Sequence, residues 1–115
     1  MKIKFSEEWD KLKPENFDVG QEFTTFRSYD IKKDKYYTNS IGKVFDVMLK
    51  GKLIGRAKLR FVEYRRIQDV SDDDIAKDTY KDWNMTNFAL WANKMYNIMP
   101  QFWIILTFDI VEDLT

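Results

Sequence analysis

A chain of 115 residues with 44% hydrophobic and 17% aromatic content has enough apolar surface for one core, which excludes disorder and any need for disulfides or a structural metal. It has no cysteine and no histidine, so thiolate nucleophiles, the common zinc sites and histidine-based triads are excluded. The formal charge is zero, yet residues 1–66 hold 16 Lys and Arg against 10 acids, and residues 67–115 hold 3 against 9. Such a dipolar chain either presents one basic face to a polyanion or neutralises its two halves against each other. Neither a signal-peptide pattern in residues 1–13 nor an apolar run of membrane-spanning length is visible, so the expectation is a single soluble, cytoplasmic domain over residues 1–115.

In chain order, Ser6 followed by Glu7, Glu8 and Trp9 predicts a helix start with acids in its first turn, stopped by Pro14. Residues 23–27 predict a short strand. The polar stretch 28–40, rich in lysine, predicts a loop long enough to act as a mobile lid. Residues 43–49 alternate, with Phe45, Val47 and Leu49 on one face. Lys50-Gly51-Lys52 then predicts a hairpin turn, and residues 53–66 a long strand. A period of two sends Gly55, Ala57, Leu59 and Phe61 towards the core, and Arg56, Lys58, Arg60 and Arg66 to the other face.

Ser71 before Asp72, Asp73 and Asp74 predicts a capped helix start, running to about residue 80. Asn84 or Thr86 caps a second helix to about residue 97, with Phe88, Trp91, Ala92 and Met95 at helical spacing. Residues 102–111 predict a strongly apolar final strand, covered on both faces for much of its length. The fold class is therefore α+β: a small mixed, mostly antiparallel sheet that curls, with helices covering one side.

Residues 20–27 read Gly-Gln-Glu-Phe-Thr-Thr-Phe-Arg, placing Gly20, Thr25 and Arg27 in the frame G-x-x-x-x-T-x-R. This frame resembles the signature G-x-K-x-x-T-x-R of the ASCH domains, small barrels of the PUA-like fold associated with RNA. Glu22 stands where the family has its lysine. The resemblance extends over residues 17–111, through the paired strands, the helix start at 70–74 and the closing hydrophobic strand. It implies a PUA-like β-barrel with a cleft at the signature, between barrel and helices, into which Arg27 faces.

Read on their own chemistry, these residues have two roles each. Gly20 permits a tight bend, or leaves room for a ligand against the backbone. Thr25 is a strand residue, or hydrogen-bonds a base or ribose hydroxyl. The planar fork of Arg27 suits phosphate or a base edge, or pairs with an acid among residues 72–82. Arg56, Lys58, Arg60 and Arg66 form a basic stripe that contacts phosphates, or pairs with the acidic segment 69–82. Tyr36 and Tyr37, in the lysine-rich stretch, offer rings to single-stranded bases. Trp83 lines the cleft, whereas Trp91, Phe102 and Phe108 belong to the core.

The expected function is binding of RNA or a nucleotide-like ligand, with no cofactor, no metal and no membrane partner. The alternative is a small hydrolase acting on a modified nucleoside or on RNA. In relatives that hydrolyse acylated cytidine, the resemblance implies that the signature lysine drives the reaction. Glu22 cannot supply that positive charge, so an enzyme here would use Glu22, Thr25 and a carboxylate at Asp78 or Asp82, with magnesium in the nuclease form. A third class is a protein-interaction module using the acidic helix.

Overall fold

The apolar run near the carboxyl end becomes the strand around which everything else is placed. It is residues Phe102–Asp113, and every residue from Trp103 to Phe108 is buried. Alternate side chains leave a strand on opposite faces, so a strand buried throughout needs cover on both. Ile104, Leu106, Phe108 and Ile110 enter one core, while Trp103 and Ile105 enter another.

The structure is a computed structural model that describes residues 1–77, 84–97 and 99–115. Five strands are named in chain order: β1 (Lys2–Phe5), β2 (Glu22–Ser28), β3 (Val44–Leu49), β4 (Lys52–Arg66) and β5, the strand above. Three α-helices are α1 (Ile31–Thr38), α2 (Asp72–Lys77) and α3 (Met85–Tyr96). The strands form one sheet in the order β1-β3-β4-β5-β2. Only β1–β3 is parallel; the other pairs are antiparallel. The sheet curls into a half-barrel, giving the mixed, mostly antiparallel α+β arrangement that the sequence predicts.

Inside the curl, Phe17, Phe23, Phe45, Leu59 and Phe108 pack around a ring stack in which Phe23 and Phe108 are 5.3 Å apart. Across β5 and β2, α2 and α3 cover the second core through Ile75, Phe88 and Ala92, packed on Phe26 and Trp103. Both helices start as the sequence predicts. Ser71 and Asp74 cap each other reciprocally, and Asn84 does the same with Asn87. The β3–β4 turn puts Lys50 at φ 51° and Gly51 at φ 80°, the left-handed pair that a two-residue hairpin requires.

Three expectations are corrected. The chain at Ser6–Trp9 is not an α-helix; only a 3-10 turn, Asp10–Leu12, follows. The regular element in that region lies just before it, where Lys2-Ile3-Lys4-Phe5 alternates and buries Ile3 and Phe5 against β3. The stretch 28–40 is not a loop. Asp30 caps α1 by accepting from the backbone N–H groups of Lys32 and Lys33, and a capping aspartate outweighs the polar composition.

The third correction concerns Phe61. Leu59 pairs with Phe108 but Phe61 pairs with Thr107, so Arg60 is an extra residue in a bulge. One inserted residue inverts every side chain beyond it. Phe61 is therefore 52% exposed and Val62 turns inward. Arg66 moves to the face opposite Arg56, Lys58 and Arg60, and the predicted basic stripe is broken.

Helix α1 is fastened to β4 through Asp34, which accepts hydrogen bonds from Tyr64, Thr38 and Tyr29. The bond from Tyr64 holds the Asp34 carboxyl below its ordinary value, partly offset by desolvation, with Thr38 and Tyr29 adding to the lowering. A depressed carboxylate contributes stability above its unfolded pKa, about 3.9, and loses it as pH falls through the folded value. Asp34→Asn is expected to lower the melting temperature at neutral pH and to flatten its decline below about pH 4. Thermal scans across that range check both effects, and parallel curves for the two proteins would contradict them.

Gly55 is the one glycine at which an added side chain meets its neighbours. A Cβ built there collides with the Glu112 carbonyl and with the ring of Phe17, which is fully buried. Gly55→Ala is expected to destabilise the fold by about 1–3 kcal/mol through overpacking. Urea unfolding measures it, and an unchanged midpoint would show that the Phe17 ring moves aside without cost.

Candidate functional site

Because β1 and β2 are the two ends of the sheet order, the curl brings together strands that are far apart in the ladder. Arg27 closes the gap. Its Nη2 donates to the carbonyl of Lys4 at 3.0 Å, and its guanidinium lies over the Phe5 ring, 5.1 Å from the centroid. That is hydrogen bonding and cation–π contact from one side chain. The Nε is buried and has no hydrogen-bond partner among the described residues. Among the described residues Arg27 pairs with none of the acids at 72–74, the remaining acids of the expected range lying outside the described residues, and its contacts are this clasp to β1.

Beside the clasp lies a cleft of about 640 Å³. Lys2 and Lys4 of β1, with Lys50 and Gly51 of the β3–β4 turn, form one wall. Trp91, Met95 and Tyr96 of α3 form the other, and Thr25 and Arg27 come up from β2. The aromatic wall is braced from behind. Trp9 meets Trp91 edge-on at 5.9 Å, and Tyr96 meets both Trp91 and the buried Trp103. Among the described residues, four cationic side chains and no carboxylate line the cleft, so these residues give it a positive field and its apolar walls reduce screening.

Not all the predicted site residues come together here. Thr25, 3% exposed, and Arg27 line the cleft. Glu22 lies on the opposite face of β2, in a separate recess with Thr24. A regular strand sends residues three apart to opposite faces, so Glu22 and Thr25 do not form a working pair. Gly20 makes a bend at φ 90° and donates its N–H to Ile110 at 2.9 Å, at a distance along the sheet from the cleft lining. Asp78, Asp82 and Trp83 lie outside the described residues.

The remaining candidates have other work. Tyr37 is buried against Phe45, and desolvation raises its hydroxyl pKa. Tyr36 keeps an exposed edge but packs on Tyr37 and Phe45; neither tyrosine lines the cleft. Arg56 is held between Asp46 at 3.0 Å and Glu112 at 2.8 Å. Arg60 pairs with Asp109 at 2.6 Å and lies over the Phe61 ring. Lys58 stands beside Asp109 in the ladder, and Arg66 stacks over Phe102, which is exposed rather than core. Among the described residues, acids of neighbouring strands rather than those at 69–74 thus offset Arg56 and Arg60.

The cleft residues that sequence reasoning missed are Lys2, Lys4, Phe5, Trp9 and Lys50, together with the functional face of Trp91, Met95 and Tyr96. The alternation of residues 2–5 is the signal that could have found the first three. Trp91 reads as core because helical spacing does not distinguish a core face from a cleft wall.

No family model matches the chain, and no curated protein matches its sequence. Among solved structures, the chain is similar to the protein EF3133 from Enterococcus faecalis V583, assigned to the family DUF984. The TM-score is 0.61 at 17% identity, over 84% of this chain and 67% of that one. The two proteins share a fold: a small α+β domain built on a curled sheet. No helix among the described residues is long and apolar enough to cross a membrane.

The clasp is testable apart from any ligand. Arg27→Lys keeps the charge but loses the planar fork, and is expected to cost about 1 kcal/mol of stability and to speed amide exchange in β1. Unchanged exchange at Lys4 and Phe5 would show that the edge strands stay together without it.

Proposed function

We propose that this chain is a PUA-like domain of ASCH type that binds RNA or a nucleotide-like ligand in the cleft between β1 and β2. The observation that carries the proposal is the lining itself: Lys2, Lys4, Lys50 and Arg27 beside Trp91 and Tyr96, with no acid among the described residues of the lining. A nucleotide is an anion joined to a flat aromatic ring. Cations take the phosphate, and exposed ring surface on α3 takes the base by stacking, which every base allows. Thr25 adds a hydroxyl for a base edge or ribose. The resemblance at residues 20–27 supports the same ligand class, since its matching residues Thr25 and Arg27 line this cleft.

The hydrolase reading is weakened by the same geometry, because Glu22 faces away from Thr25 and Arg27. The outer stripe is weakened as an RNA surface because Arg56 and Arg60 are already ion-paired.

Titration with a short single-stranded RNA and with cytidine monophosphate, read by tryptophan fluorescence, tests the proposal. Binding is expected to quench the signal and to weaken steeply with salt. Trp91→Ala is expected to lose about 5- to 100-fold in affinity, from one stacked base. Lys4→Ala, at an exposed position, is expected to reduce the salt slope by about 1. Absence of binding to both probes, or a salt slope unchanged in Lys4→Ala, would overturn the cleft as the site. Hydrolysis of acylated cytidine by the unmodified protein, abolished by Glu22→Gln, would instead establish the enzyme reading.

A further inference from the structure

The face of the sheet that carries Glu22 has a recess of its own, of about 300 Å³, bounded by β2, the part of β4 beyond the bulge, and α2. Its floor is a cross-strand row in which Thr107 of β5 stands between Thr24 of β2 and Phe61 of β4. Both threonines are 7% exposed. Among the described residues its rim carries three carboxylates, Glu22, Glu63 and Asp74, and one cation, Arg65. Arg65 is already engaged, with Nη2 3.2 Å from Glu63 and Nε 3.9 Å from Asp74. The Glu22 side chain makes no ion pair or hydrogen bond among the described residues. The described residues of the recess therefore hold a surplus of negative charge.

The second observation is independent of charge. Thr24 is one of the residues lining the recess, and its Oγ1 is buried and makes no hydrogen bond among the described residues. Leaving a hydroxyl unpaired costs about 1–3 kcal/mol. Valine has nearly the same shape, without a hydroxyl to satisfy, and is an equally good strand former. A threonine there points to a partner outside the fold.

We propose that this recess binds a primary ammonium group, which donates hydrogen bonds to Thr24 Oγ1 and to the Glu22 carboxylate. An ammonium is a compact charge with three donors. The methylene stem that carries it lies against Phe61 and Ile105, the apolar members of the lining. An anion is repelled by the surplus charge. Among the described residues no group of three or more acids is placed to hold a metal ion. The ammonium belongs either to a free alkyl amine or to a lysine side chain of a partner protein. The recess is on the side of the sheet away from the β1–β2 cleft, so the proposal does not rest on nucleotide binding.

Backbone amide shifts of the isotope-labelled chain, titrated with 1,4-diaminobutane, with a lysine blocked at both ends, and with tetramethylammonium, test it. The two primary amines are expected to shift amides around Thr24 saturably, and tetramethylammonium, which has charge but no donor, is not. Response to the diamine alone assigns a free amine; response to the blocked lysine alone assigns a partner's side chain. Thr24→Val is expected to weaken binding about tenfold while Thr24→Ser retains it. Glu22→Gln, a change at an exposed position, is expected to cause a similar loss and carries the test if the valine variant fails to fold. Equal response to tetramethylammonium, no response to either amine, or full affinity in both Thr24→Val and Glu22→Gln would overturn the proposal.

Discussion

The burial of β5 on both faces is the constraint on which the rest of the molecule depends. Six consecutive buried residues, Trp103 to Phe108, cannot be satisfied by one layer of cover, because adjacent side chains leave the strand in opposite directions. One face is covered by curling the sheet onto itself, so that phenylalanines from β2, β3 and β5 meet. The other is covered by α2 and α3. Curling brings β1 towards β2, and the helix layer sets α3 beside that seam. The cleft is the place where these two solutions meet, so its position follows from packing rather than from any one motif.

The bulge at Arg60 has the second largest effect. It keeps β4 facing the curl on both sides of the extra residue: Ala57 and Leu59 before it, and Val62 afterwards. Without it, β4 would send Phe61 inward and expose Val62, as simple alternation predicts. The bulge also removes Arg66 from the row of Arg56, Lys58 and Arg60. A basic face that looks continuous in sequence becomes two unrelated surfaces, and on one of them acids of β3 and β5 pair with Arg56 and Arg60.

Much of the architecture was legible in the sequence, and the failures have physical causes. The turn at Lys50-Gly51, the caps at Ser71 and Asn84, and the apolar β5 are local signals, and all three were read correctly. The half-barrel curl followed from the order of elements. The bulge was not legible, because an extra residue shows only in the register with β5. β1 and α1 were misread because polar composition hid a short alternation in one and a capping aspartate in the other. At the site, Thr25 and Arg27 were legible through their frame. Lys2, Lys4 and Lys50 were not, since only the ladder order brings residues so distant in the chain to one edge. The separation of Glu22 from Thr25 was available from strand periodicity alone, but the family-like frame suggested a single cleft.

The strand order also bears on how the molecule assembles. The β3–β4 hairpin joins neighbours in the chain and can form early. In contrast, β2 must find β5 across about eighty intervening residues (Glu22 opposite Asp109, Ser28 opposite Trp103), and β1 must dock beside β3 in the parallel sense. Loop closure of that length delays pairing, because its entropy is lost before the contacts form. Of the two strands that flank the seam, β2 has the longest closure to make, and β1 and β2 are not neighbours in the hydrogen-bonded ladder. The Arg27 clasp lies across this boundary, where a ligand touching both edges would act as a staple on the native state.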